Sequence, residues 1–356
     1  MKQRIVVMQA IAGIALLTLF IAPIEAKAVK WEKEVSGEKM VIQPFAFSQI
    51  TAEALDGVAT GTEDDGLRFG ADRVRIGYKF SWGKVISNLQ LDFNRGDISQ
   101  KKEGGLPEVI KDAVVGYKFH QAAKFQVGMF KTPVGMDFNT SGKKLDITKR
   151  GVEKQLVLER SMGAMVSGSD IGNTGLGYDV GVFNPTNRSS AVSAGDPGDQ
   201  QAYAGRIRYD LAKTLHAEAS YGVSEGAGGP GTEDYTVWDV ALAYWWRALT
   251  FKAEYIDGTD IRGTEGTDQN VWYAHAGYRF LPMFEGLVRH YQAEEDPNGT
   301  DLGNTFFGLN VFLKPEKPEA ARIQINYVMA GGDEQDWNGL GGYTDDALLL
   351  QYQISF

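Results

Sequence analysis

From about residue 40 to its last residue this chain alternates apolar and polar side chains, in one segment after another of about ten residues. A period of two gives each segment one apolar and one polar face, which is the pattern of a β-strand. Strands are expected near 41–50, 67–80, 84–95, 108–119, 124–131, 156–167, 175–183, 201–210, 214–223, 235–246, 249–257, 269–280, 283–292, 302–313, 320–329 and 344–356. The connections between them decide the architecture. They run long at 51–66, short at Ser81-Trp82-Gly83, long at 96–107, short from His120 to Ala123 and long at 132–155, and the pattern continues to the C-terminus. A soluble sandwich or propeller has no reason to sort its loops in this way. A membrane barrel does, because tight turns gather at one rim and long loops at the other. The expected fold class is all-β: a membrane-spanning antiparallel β-barrel of about 16 strands, with short periplasmic turns and long external loops.

Composition agrees. Hydrophobic residues make up 43 % of the 356 residues and mean hydropathy is −0.26. A helical membrane protein needs apolar runs of about 20 residues, whereas in a barrel only every second residue meets lipid. The chain has 43 Gly, 15 Tyr, 18 Phe and 7 Trp, which suits strands and turns, and no Cys, which rules out disulfides and thiolate chemistry. A formal net charge of −10 argues against binding nucleic-acid phosphates.

Both ends carry signals. Residues 1–28 read as an export peptide. Lys2 and Arg4 precede an apolar stretch from Ile5 to Ile24, and Ala26-Lys27-Ala28 is a small-x-small cleavage site. An uncleaved anchor is the alternative; Pro23, which breaks the helix, favours cleavage. Residues 29–40 then form a short periplasmic N-terminal segment, and the barrel occupies 41–356. At the C-terminus Leu348, Leu350, Tyr352, Ile354 and Phe356 alternate with Leu349, Gln351, Gln353 and Ser355. An outward apolar row that ends in Phe looks like the signal read by the barrel-assembly machinery, with Tyr352, Ile354 and Phe356 as its core.

A weak repeat supports the orientation. Gly77-Tyr78-Lys79-Phe80, Gly116-Tyr117-Lys118-Phe119 and Gly277-Tyr278-Arg279-Phe280 each precede a short connection. In each, two aromatics one residue apart share a face, as in the aromatic girdle at a membrane–water boundary.

Several stretches resemble the phosphate-selective porin O and P family of bacterial outer-membrane porins. They are Phe125-Gln126-Val127-Gly128-Met129-Phe130-Lys131-Thr132-Pro133-Val134-Gly135, Glu159-Arg160, Gly177-Tyr178-Asp179-Val180-Gly181-Val182-Phe183-Asn184, Gly205-Arg206-Ile207-Arg208-Tyr209 and Gly308-Leu309-Asn310-Val311-Phe312-Leu313. The resemblance implies a sixteen-stranded homotrimer in the outer membrane whose third loop folds into the lumen. It implies a water-filled channel for passive diffusion of small hydrophilic solutes. Phosphate-specific members carry a dense arginine ladder and a lysine-rich mouth; here the external loops are acidic, as at Glu63-Asp64-Asp65, Glu294-Glu295-Asp296 and Asp333-Glu334.

If the apolar parity of each strand faces lipid, the other faces the lumen. On that reading the lumen receives Arg73, Arg75, Lys79, Lys118, Lys124, Arg160, Arg206, Arg208, Lys252, Arg279, Arg289 and Arg322. It also receives Asp92, Asp112, Asp179, Asp210, Glu218, Asp239, Glu254 and Glu285. The loop 132–155 adds Lys143, Lys144, Lys149, Arg150 and Lys154 against Asp137, Asp146 and Glu153. Basic rings in a pore favour anions. The expected anion path is Arg73, Arg75, Lys131, Lys143, Lys144, Lys149, Arg150, Arg160, Arg206, Arg208 and Arg289, with small inorganic or organic anions as solutes, phosphate or other oxyanions among them. The alternative is a weakly selective pore whose lumen charges pair off.

Enzymatic readings find no support. His120, His216, His275 and His290 are scattered without metal-ligand spacing, and no phosphate loop occurs. No cofactor or metal is expected. A non-conducting barrel, adhesin or scaffold, remains the second reading. It would need a plug, because sixteen strands enclose a wet lumen.

Overall fold

The computed structural model describes residues 30–55, 66–94, 109–185, 200–226, 233–296, 299–333, 336–337 and 339–356. The export peptide and the loop acids Glu63, Asp64, Asp65 and Glu334 lie outside the described residues.

Among the described residues, seventeen strands form one sheet. They are β1 (Trp31–Val35), β2 (Glu38–Leu55), β3 (Gly66–Trp82), β4 (Val85–Asp92), β5 (Ile110–His120), β6 (Ala123–Lys131), β7 (Arg160–Gly168), β8 (Leu176–Phe183), β9 (Ala202–Leu211), β10 (Leu215–Ser224), β11 (Tyr235–Trp246), β12 (Leu249–Thr259), β13 (Gln269–Leu281), β14 (Phe284–Glu295), β15 (Thr300–Phe312), β16 (Ala321–Gly332) and β17 (Ala347–Ser355). Strands β2 to β17 each pair antiparallel with the next, and β17 closes on β2, with Leu349 opposite Glu53 and Ser355 opposite Phe47. The result is a closed barrel of sixteen strands without a free edge. All sixteen expected strands are present.

Two segments differ from expectation. Part of 29–40 is not a plain lead-in: β1 folds back on β2, with Trp31 opposite Ile42 and Val35 opposite Glu38. Its alternating Trp-Glu-Lys-Glu-Val is a strand too short to stand out by periodicity. The inward loop extends past 155 to residue 159, and β7 begins at Arg160. Leu156, Val157 and Leu158 look like the start of a strand, but all three are buried inside the barrel instead of facing lipid. Glu159 then takes a left-handed φ of 51° that ends the loop.

The two rims differ as expected. One carries tight turns such as 83–84, 121–122 and 247–248 and two longer connections at 169–175 and 313–320, and the other carries the long connections, with 296–299 a short exception. Strand parity separates lipid from lumen. Val115, Val180, Ile207, Val240, Trp272 and Phe307 are exposed on the outside, while Gln49, Asp92, Arg289, Gln324 and Gln351 are buried on the inside. Tyr78, Tyr117, Phe119, Tyr278 and Phe280 lie exposed near the short-turn rim, and Tyr117 packs against Phe119 with ring centroids 4.8 Å apart.

Candidate functional site

The loop 132–159 folds into the barrel and builds a second core there. Val134, Met136, Phe138, Ile147, Val152, Leu156 and Leu158 pack against Phe183, Tyr235, Val237, Ile256, Val271, Tyr273, Phe306 and Leu349 of the inner wall. That wall belongs to β8 through β17, so the loop lies against one side of the lumen.

Polar side chains of the wall grip the loop backbone. Amide groups of Gln49, Gln353, Gln324 and Gln351 donate to the carbonyls of Gly142 (3.0 Å), Lys143 (3.1 Å), Asp146 (2.9 Å) and Thr148 (3.1 Å). Asn326 Oδ1 accepts from the Thr148 N–H at 2.9 Å. Each such bond contributes on the order of 1 kcal/mol net, and more is lost when one buried partner is removed. On the far side Glu254 accepts the N–H groups of Met136 (2.9 Å) and Asp137 (3.0 Å), which opens the helical turn Met136–Asn139.

Charge fixes the centre. Arg289 is fully buried and donates to Asp146 at 2.9 Å and to Tyr291 Oη at 2.8 Å; Asp137 lies 3.4 Å away. Its guanidinium lies 4.5 Å from the Tyr273 ring centroid. Lys252 donates to Asp146 at 2.6 Å. In the loop, burial pushes the Glu153 carboxyl up to about 8, and neighbouring Asp137 adds to the shift.

Two connected cavities stay open beside the loop along β2 to β7. A cavity of about 270 Å3 is lined by eight basic residues, Arg73, Arg75, Lys111, Lys131, Lys149, Arg150, Lys154 and Arg160, against Asp72 and Glu159. Towards the short-turn rim a larger cavity of about 760 Å3 follows, in which Lys79, Lys124, Lys143 and Lys317 join Arg75, Lys131 and Arg160 against Asp112. Arg75, Lys131 and Arg160 line both and form the junction.

The cations differ in their partners. Arg75 pairs with Asp92 at 2.8 Å, Arg160 with Asp112 at 2.9 Å, and Lys149 with Glu53. Arg73 and Lys131 meet neutral acceptors: Arg73 donates to Gln49 Oε1 at 2.5 Å, and Lys131 donates to the carbonyls of Phe138 and Thr140. Arg150 also serves the loop carbonyls of Asp137 (3.0 Å) and Phe138 (3.2 Å).

A family model described as phosphate-selective porin O and P matches residues 48–225, half of the chain. The chain belongs to this family. No curated protein sequence matches it. Among solved structures, an anion-selective porin from Comamonas acidovorans aligns with TM-score 0.65 at 12 % identity, over 89 % of this chain and 100 % of that one. Salmonella typhi OmpF, solved with daunomycin, gives TM-score 0.65 at 14 % identity over 92 % and 100 %. OmpT of Vibrio cholerae gives 0.61 at 10 % over 93 % and 100 %. These likenesses are of fold. The protein is a porin of the bacterial outer membrane, and the rim of tight turns that carries Phe356 is the periplasmic one.

The porin distributes the expected path residues unevenly. Arg73, Arg75, Lys131, Lys149, Arg150 and Arg160 gather at the outer cavity, and Lys143 lines the inner one. Lys144 is exposed and lines neither. Arg206 and Arg208 line a separate cavity of about 720 Å3 under the loop, shared with Asp210 and Glu218. Both pair with Asp179 there. Arg289 is a correction: the loop covers it completely, so it anchors the loop and faces no water. Lys79, Lys111, Lys124, Lys154 and Lys317 line these cavities although they were not on the expected path. Lys111 sits at a strand end where Gln90 and Leu91 shift register, so simple parity did not place it.

Proposed function

We propose that this porin prefers small anions and conducts them along Arg73, Arg75, Lys131, Lys143, Lys149, Arg150 and Arg160. The observation that carries the reading is the junction of Arg75, Lys131 and Arg160 between two cavities whose linings hold eight basic residues against two acidic and seven against one. An anion there exchanges part of its hydration for guanidinium and ammonium donors while the rest of the pore stays wet. Many of these cations are already paired, which favours a general anion preference over tight selection of phosphate. Further parts of this proposal are a homotrimer, removal of residues 1–28 on export, and recognition of Tyr352, Ile354 and Phe356 by the barrel-assembly machinery.

The deciding experiment is the zero-current potential of purified porin in a planar bilayer under a KCl gradient, repeated with phosphate. A potential of the sign set by chloride is expected. A potassium preference would refute the reading, and an absence of channels would favour a scaffold or adhesin.

A further inference from the structure

The inner cavity has an apolar wall as well as a basic one. Phe45 lies across Gly77, where an added Cβ would come within 2.6 Å of the ring. Ile86 lies close to Gly116, where a Cβ would come within 3.2 Å of Cγ1. Both glycines belong to the repeats whose tyrosines face lipid. On the luminal side, the missing side chains let an aromatic and an aliphatic group lie against the backbone. Phe47 lies buried beneath this surface, with the Arg75 guanidinium 5.4 Å from its ring centroid. Phe45, Phe47 and Ile86 line the same cavity as Arg75, Lys131 and Arg160. Apolar surface exposed to water inside a channel gains free energy when another apolar group covers it.

We infer that the inner cavity binds organic anions that carry an apolar group, of the class of aromatic carboxylates. The carboxylate meets the cations of the junction and the ring covers Phe45 and Ile86. A cavity of about 760 Å3 holds such a molecule, and the outer one of about 270 Å3 admits it charge first. This inference rests on the anion path proposed above and adds what the preferred anion carries behind its charge.

The test uses the purified full-length porin in planar bilayers, with acetate, butyrate and benzoate titrated as blockers of the chloride current. Half-block by benzoate is expected at about one tenth of the acetate concentration, with butyrate between, as burial of a ring instead of a methyl group requires. Benzyl alcohol, which has the ring without the charge, is expected not to block. Phe45→Gln should cut the benzoate advantage to less than about threefold. Equal block by acetate and benzoate in a channel that prefers chloride would overturn the inference and leave the selectivity proposal standing. A potassium preference would overturn the selectivity proposal itself. An unchanged benzoate advantage in Phe45→Gln would overturn the placement of the ring. Should that variant fail to assemble, the wild-type series decides alone.

Discussion

Arg289 of β14 donates from Nη2 to Asp146 of the inward loop at 2.9 Å, with no part of its side chain exposed. Removing one partner of a buried pair leaves the other uncompensated, at a cost of about 3–5 kcal/mol. Arg289→Met should therefore loosen the loop from the wall, although Lys252 still holds Asp146. Single channels of this variant are expected to be larger and noisier, with protease cleavage inside 132–159. Channels indistinguishable from wild type would show that the amide grip suffices by itself.

Selectivity should respond unequally to the cations. Lys131→Gln combined with Arg160→Gln should lower the chloride-to-potassium permeability ratio, because both line the junction. Arg208→Gln should change it less, since Arg208 is paired with Asp179 in the separate cavity. The zero-current potential of each variant checks the order.

Glu153 makes loop docking depend on pH. Its folded pKa is raised to about 8 from an ordinary 4.5. Below 4.5 the carboxyl is neutral whether the loop is docked or released. Between the two values only the docked loop keeps the proton, so docking weakens as pH rises, and above about 8 the loss is complete. Protease susceptibility of the loop should rise from about pH 5 to about pH 9. Glu153→Gln should flatten that rise, and a rise of the same size in the variant would assign the pH effect elsewhere.

Phe356 ends the last outward row and donates its N–H to the Ala46 carbonyl at 3.1 Å. Deleting it should reduce the amount of heat-modifiable barrel in the outer membrane, with a smaller effect from Ile354→Ser. Normal levels of barrel after deletion would remove the assembly role.

The barrel was legible because lipid imposes a strict alternation on the outer face. The charges were read less well because the inner face has no single medium. In β11 and β13 adjacent residues of both parities are apolar, as in Val237-Trp238 and Val271-Trp272. Trp238 and Trp272 meet lipid, while Val237 and Val271 meet the folded loop. Taking every inward residue as wet therefore put Arg289 on the solute path. The signal that marks the covered part is that double apolar parity, together with the inward Gln and Asn residues at 310, 324, 326, 351 and 353. Lys131 was legible from its place at the end of β6, but its loop-carbonyl partners depend on how the loop folds, which strand periodicity does not encode.

The small strand β1 bears on how the seam zips shut. Strands β1 and β17 share one edge of β2: Trp31 sits opposite Ile42, and Phe356 bonds back to Ala46. Only Gln43, Pro44 and Phe45 lie between, and Pro44 has no N–H to offer a neighbour. A slide of four residues by the last strand towards the periplasm would drive Phe356 into the place Trp31 holds. A local hairpin forms far sooner than a pairing across the whole chain, so β1 is expected to be in position before β17 arrives. In that place it would act as a mechanical end-stop that limits the registers in which the cylinder can be sealed.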